Sequence, residues 1–218
     1  MQSLFLTGNP RVGKTTIISK VVKYLQTTYP ETISTHGFYT SEVLGSDNSR
    51  VGFDIITIDG QKGVLSRKNL PLPIANYNNI PKVGAYMVFL EEFERLAVPS
   101  ITINEYDDKK KESKKQVIVI DEVGKMECFS NKFNETVRNL VLRENINENV
   151  NDVCVIGTVA LNHIGLAKEI RNKAGFGKNS KSKENKNLSV WEVTYENREY
   201  MVNNVILELE KMLNVRNE

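Results

Sequence analysis

The sequence predicts an α/β layered fold: a mostly parallel central sheet with helices on both faces and an antiparallel hairpin added to it. Three observations lead there. The runs VIVID (117–121) and VCVIGTV (153–159) are apolar almost to their ends, the pattern of parallel strands covered on both sides. Strand-like runs alternate along the chain with segments whose apolar residues recur at helical spacing. Between residues 36 and 59, two runs rich in β-branched and aromatic residues flank LGSDNS, a turn composition.

Element by element, SLFLT (3–7) reads as a short buried strand. Residues 15–25 follow as a helix, with Ile17, Ile18, Val21, Val22 and Leu25 on one face. HGFYTSEV (36–43) and RVGFDIITID (50–59) form the hairpin, and QKGVLSRK continues as loop or edge structure. AYMVFLEEFERLAVPSI (85–101) passes from a short strand into a helix stopped by Pro99. NEYDDKKKESKKQ (104–116) is a charge run and reads as a solvated connection into the strand at 117–121. Phe133, Val137, Leu140 and Val141 then mark an amphipathic helix. An asparagine-rich loop (145–152) leads to the strand at 153–159. A short helix spans Ile164 to Arg171, and GFGKNSKSKENKN (175–187) precedes a strand, LSVWEVT (188–194). The Asn/Lys tracts carry too little apolar surface to offset the entropy of ordering, so mobility is expected there. Val202, Val205, Ile206, Leu209, Met212 and Leu213 give a final helix with one apolar stripe.

The 218 residues suit one α/β domain over 1–218, with no linker and no internal repeat. Lysine plus arginine (29) nearly balances aspartate plus glutamate (27), so the net charge of +2 gives no reason to expect nucleic acid or a membrane as partner. Cys128 and Cys154 lack metal-ligand or CxxC spacing, no secretory signal precedes the first strand, and no apolar run approaches the roughly 20 residues of a membrane span. A monomer in the reducing cytoplasm is the expectation.

The chemistry concentrates in two places. Gly8, Asn9, Pro10, Arg11, Val12, Gly13, Lys14, Thr15 and Thr16 run from strand into helix and fit the phosphate-loop pattern G-x-x-x-x-G-K-[ST]. In such a loop successive backbone N–H groups and the helix amino terminus wrap phosphates. The lysine neutralises β/γ oxygens, and the hydroxyl, here that of Thr15, ligates magnesium. Gly8 and Gly13 provide close approach and positive φ. Arg11 occupies a position often held by glycine. If its φ is positive the cost is on the order of 1 kcal/mol, and its side chain is either an extra cation near the γ-phosphate or a tolerated surface arginine.

The second place is VIVIDEVGKME (117–127). An aspartate at the end of a buried strand, Asp121, is placed to hold the metal, and Glu122 beside it to orient or deprotonate a water. Thr158, at the tip of the 153–159 strand, either senses the γ-phosphate or makes a strand-end hydrogen bond. His36 and His163 have no partner at ligand spacing, and Trp191 reads as core.

With these residues in view, the chain resembles the cancer-related nucleoside-triphosphatase family. The resemblance covers nearly its whole length and rests on FLTGNPRVGKTT, GFYTSEV, VGFDIITIDGQKGVLSR, VGAYMVFLEEFERLAVPSI, VIDEVGKMECFS, VIGTV and VTYENREYM in the family's order. It implies the P-loop NTPase fold and magnesium-dependent hydrolysis of nucleoside triphosphates to diphosphate and phosphate, with broad base tolerance and slow turnover. It also implies nucleotide contact at the loop and along Val117, Ile118, Val119, Ile120, Asp121, Glu122, Val123 and Gly124. Lys14 and Thr15 match the family's loop and Asp121 and Glu122 its acidic pair. Asn197 and Arg198 match its ENR near the base or phosphate side. Arg171, in EIRNK, matches an arginine that is a candidate for stabilising transition-state charge, a surface salt bridge being the alternative. The chain departs from the pattern at Arg11, at Lys173 in place of a second arginine, and in the tracts at 145–152 and 175–187. Two other functions share these motifs: a nucleoside or nucleotide kinase with an acceptor pocket, and a nucleotide-gated module that binds RNA or protein through its lysine tracts.

Overall fold

The computed structural model describes residues 1–68, 80–103, 114–142, 152–162, 165–177 and 187–215. Most of the Asn/Lys and charge tracts (104–113, 145–151, 178–186), together with His163 and Ile164, lie outside the described residues.

The chain opens with strand β1 (Gln2–Thr7) and helix α1 (Lys14–Thr28). It crosses to β2 (Ile33–Leu44), then β3 (Arg50–Thr57), β4 (Lys62–Lys68), β5 (Lys82–Val83) and β6 (Tyr86–Val88). Helix α2 (Leu90–Ile101) leads to β7 (Lys115–Val123), and α3 (Asn131–Val137) runs on through a π turn to Leu142. Strand β8 (Val153–Val159), α4 (Leu166–Lys173), β9 (Leu188–Glu192) and α5 (Arg198–Leu213) complete the order.

Among the described residues one sheet holds nine strands, in the order β5-β6-β4-β3-β2-β7-β8-β1-β9. The five from β2 to β9 in that order pair in parallel. The rest are antiparallel, so the expected hairpin β2–β3 grows into a larger wing. β4 was expected as loop or edge structure; it instead lies between β3 and β6, because Ser66 to Lys68 pair with a strand some twenty residues downstream. Pro99 does not stop α2 but sits in its last turn. The carbonyl it leaves without an N–H belongs to Arg95 on the exposed face, open to solvent, and the helix ends at Ile101.

Alternation along the central strands splits their side chains between two cores. On one face Phe5, Ile118, Ile120 and Val155 meet α2, α3 and α4, where Phe38, Phe93 and Phe133 pack edge to face with centroids 5.2–6.0 Å apart. On the other, Leu4, Leu6, Val117, Val119 and Ile156 meet the apolar faces of α1 and α5. Trp191 is only half-buried and flanks this second core rather than filling it.

The strand that carries the glycine loop, β1, and the strand that carries the acids, β7, are not neighbours: β8 runs between them. Gly157 of β8 faces Ile120 on one side and Phe5 on the other, and a Cβ there would lie 2.2 Å from the Ile120 carbonyl oxygen. Only glycine permits that approach.

Candidate active site

The loop after β1 owes its shape to backbone conformations that side chains resist. Gly8 has φ +136°, and a Cβ on it would sit 2.3 Å from the Val193 carbonyl oxygen; Gly13 has φ +110° and leads directly into α1. Val12, 1 % exposed, plugs into the second core and anchors the middle of the loop. The amino terminus of α1 therefore points its free N–H groups into the loop's hollow, where anions are favoured. Lys14 folds back over it, its Nζ donating to the carbonyls of Gly8 (3.0 Å) and Asn9 (3.2 Å). Thr15 and Thr16 are exposed on the first turn.

Arg11 does adopt positive φ, +65°. Its exposed side chain turns to Glu42 on β2, with Nε 3.5 Å from Oε1. Arg50 of β3 reaches the same oxygen at 2.8 Å and is held more firmly: its guanidinium lies over the rings of Phe53 and Tyr86, and its Nε donates to the Tyr86 hydroxyl at 2.9 Å. Loop residues 10, 11 and 13–16 join Thr40, Ser41, Glu42, Arg50, Phe53 and Glu122 around a cavity of about 400 Å3.

The acids meet this loop. Asp121, 1 % exposed, accepts a 2.6 Å hydrogen bond on Oδ1 from the hydroxyl of Thr158, so Thr158 makes a strand-end bond whose partner is the acid itself. Burial pushes the Asp121 carboxyl up, while the hydroxyls of Thr158 and Thr15, the charge of Lys14 and the Thr40 N–H pull it back. Its Oδ2 is buried with no hydrogen-bond partner among the described residues. Glu122 is also pushed up by burial, opposed by Lys14 and reinforced by Asp121. Lys14 thus acts on both carboxylates across the β8 gap.

Glu122, Lys14, Gly8 and Pro10 also open onto a second cavity, of about 850 Å3. It extends past Lys125, Cys128 and Phe129 toward α3 and α4. Beneath its floor Glu127, 5 % exposed, tucks Oε2 against Gly124, and burial together with the Glu122 charge raises its carboxyl to about 8. Burial drives the Cys128 thiol up to about 12, leaving no reactive thiolate there.

Other expected site residues stand elsewhere. The side chains of Val117, Ile118, Val119 and Ile120 are at most 2 % exposed and divide between the two cores. Val123 is likewise core, and Gly124 forms the turn after it. Arg171, in the last turn of α4, donates to the Ala160 carbonyl at the rim of the larger cavity, and Lys173 donates to the Leu142 carbonyl. Asn197 caps the loop before α5, accepting from Thr194 N–H (2.9 Å) and donating to the Glu192 carbonyl (2.8 Å). Arg198 lies over the Tyr195 ring. This segment follows Val193, which touches Gly8, so it borders the loop on the side away from the acids. Glu42, Arg50, Lys125 and Glu127 escaped the sequence reading. The hairpin turn LGSDNS was a usable signal for the Glu42–Arg50 pair, since closing it brings the two strands side by side.

A glycine-shaped loop at a helix amino terminus, with a lysine and hydroxyl facing a buried acid two strands away, defines a P-loop nucleotide-binding protein. A family model described as NTPase matches residues 3–206. The chain is 34 % identical over 206 residues to the human cancer-related nucleoside-triphosphatase, covering 93 % of this chain and 94 % of that one. It is 34 % identical over 210 residues to the nucleoside-triphosphatase THEP1 of Aquifex aeolicus, covering 95 % and 99 %. The crystal structure of the Aquifex aeolicus protein superposes with a TM-score of 0.69 at 33 % identity, over 95 % of this chain and 99 % of that one. The solution structure of a human cancer-related nucleoside triphosphatase superposes with a TM-score of 0.71 at 32 % identity over the full length of both. The chain belongs to this nucleoside-triphosphatase family.

Proposed function

We propose that the protein hydrolyses nucleoside triphosphates to the diphosphate and inorganic phosphate. The observation that carries this reading is the convergence of Lys14 with both carboxylates: Glu122 lines both cavities with Lys14, and Asp121 lies buried behind them within reach of the Lys14 charge. The N–H groups at the end of the loop and the first turn of α1, residues 13–16, bind the β-phosphate, and Lys14 exchanges its two carbonyl partners for phosphate oxygens. Glu122, its basicity raised by burial, orients the attacking water and accepts its proton. Asn197 and Arg198 border the nucleoside on the far side of Gly8, and Arg171 steadies the rim through Ala160.

The residues present fit a magnesium ion. Asp121 Oδ2 is a buried oxygen without a partner among the described residues, and the Thr15 hydroxyl is close enough to act on the same carboxyl. When bound, the ion neutralises phosphate charge. The reading extends to a monomer in the cytoplasm, in line with the balanced charge; no helix among the described residues is long and apolar enough to cross a membrane.

Phosphate release from a panel of ribo- and deoxyribonucleoside triphosphates tests the proposal. Lys14→Ala is expected to abolish release, and Glu122→Gln to slow it by about 100-fold or more while a non-hydrolysable analogue still binds. Full activity in purified Glu122→Gln protein would refute the role given to that residue.

A further inference from the structure

Hydrolysis through a loose transition state spreads charge over the three equatorial γ oxygens and the β–γ bridge, and a cation on the γ side is worth about 10³ to 10⁵ in kcat where one is supplied. The expected source was Arg171, yet it donates to the Ala160 carbonyl and is not among the residues that line the larger cavity. The other cations nearby are committed too. Arg138 forms a two-pronged ion pair with Glu169, one contact at 2.8 Å, and Arg11 and Arg50 share Glu42.

Lys125 differs from all of these. It lines the larger cavity with Lys14 and Glu122, is exposed, and has no ion pair among the described residues. Its backbone is nonetheless fixed. The turn that carries it is closed by Cys128 N–H on the Gly124 carbonyl (3.1 Å), Phe129 N–H on Met126 (3.3 Å) and Ser130 N–H on Glu127 (3.0 Å). The buried Glu127 side chain locks the same turn from below, against Gly124. A rigid base with a flexible four-carbon stem suits a charge that engages only when phosphate is present.

We infer that Lys125 is a further catalytic residue, meeting the γ-phosphate from the side opposite Lys14 and stabilising the charge that develops on it. This deepens the triphosphatase reading and rests on it. The covalent balance is unchanged by Lys125. Water oxygen bonds to the γ phosphorus, the bond to the β–γ bridging oxygen breaks, the nucleoside diphosphate leaves with that electron pair, and the water's proton passes to Glu122. Lys125 contributes only charge. Glu122 lines the same cavity as both lysines as it gains and releases the proton.

Three substitutions and two readouts test this. Lys125→Ala and Lys125→Gln should each lower kcat by about 100-fold or more, with KM and the Kd of a non-hydrolysable analogue within about 3-fold of the parent protein; Lys125→Arg should recover a substantial part. In magnesium buffer, nucleoside diphosphate with aluminium fluoride mimics the transferring group. The parent protein should retain that complex on gel filtration, and the Ala and Gln variants should lose it while still binding diphosphate. An unaltered melting midpoint, expected for an exposed side chain, separates these losses from misfolding. Retention of the fluoride complex by Lys125→Ala, or an equal fall in triphosphate affinity and kcat, overturns the assignment. A parent protein that releases no phosphate from any triphosphate sinks the hydrolase reading itself and this assignment with it.

Discussion

Glu127 is a carboxyl group almost wholly removed from water, with Glu122 and Asp121 as its charged neighbours and the N–H groups of Gly124 and Glu127 as its partial compensation. Its carboxyl rises from an ordinary 4.5 to about 8 in the folded protein. The sign of the linkage follows. Below pH 4.5 the group is protonated whether folded or not, and its contribution to stability is complete. Between 4.5 and 8 the unfolded chain ionises while the folded one holds its proton, so stability falls as pH rises, and the loss levels off above about 8. Glu122 and Asp121 are shifted the same way, so the comparison must be differential. In chelated, nucleotide-free protein, the melting midpoint of Glu127→Gln should fall less between pH 5 and 8.5 than that of the parent. Parallel curves would show that the buried carboxyl does not titrate as described. The scan stops short of pH 9, where the raised thiols of Cys128 and Cys154 would begin to add their own slope.

At the scale of the element, the phosphate loop shows how the same backbone tolerates one residue and refuses another. Gly8→Ala forces a Cβ into the Val193 carbonyl at a φ of +136°. It should cost about 1–3 kcal/mol and abolish binding of a non-hydrolysable triphosphate. Arg11→Gly removes a strained left-handed residue and a weak exposed contact to Glu42, while loosening the unfolded chain, so the midpoint should move by less than about 1 kcal/mol equivalent and binding should survive. Isothermal titration and thermal melts on both variants decide; equal losses in the two would mean that the clash at Val193 is not what fixes the loop. The elements differ in how far they could be read in advance. β1, β7 and β8 were legible because burial on both faces leaves an apolar run, and Lys14, Thr15, Asp121 and Glu122 stood out as candidates because a phosphate loop and a strand-end acid pair place particular residues at particular offsets. β4 did not, since its place depends on a partner strand beyond a long intervening segment, and Pro99 misled because an exposed last turn forgives a missing N–H. Lys125 and Arg50 were invisible for another reason: one is marked only by the commitments of its neighbours, the other by a carboxylate that reaches it across a hairpin.

For the whole molecule, the decisive arrangement is two cores on opposite faces of one sheet, with every central strand contributing to both. Neither core can be lost while the other keeps its strands in register, so the reading of a single domain carries a thermodynamic consequence. Phe93→Ala in the first core and Leu25→Ala in the second should each lower one common unfolding transition, by about 3–5 and 2–5 kcal/mol, and the two losses should add in the double variant. A biphasic melt in either variant would argue for two units instead. The interposed strand β8 has a further effect. The strands that carry the phosphate loop and the acids stand two strand spacings apart, roughly 10 Å. That calibre is set from beneath by Gly157, whose bare Cα lets the three strands close up. On the reading proposed above, the opening for polyphosphate is therefore gauged by a buried residue outside the proposed contacts, and bulk added at that hidden point would spread the flanking strands without altering any of those contact groups.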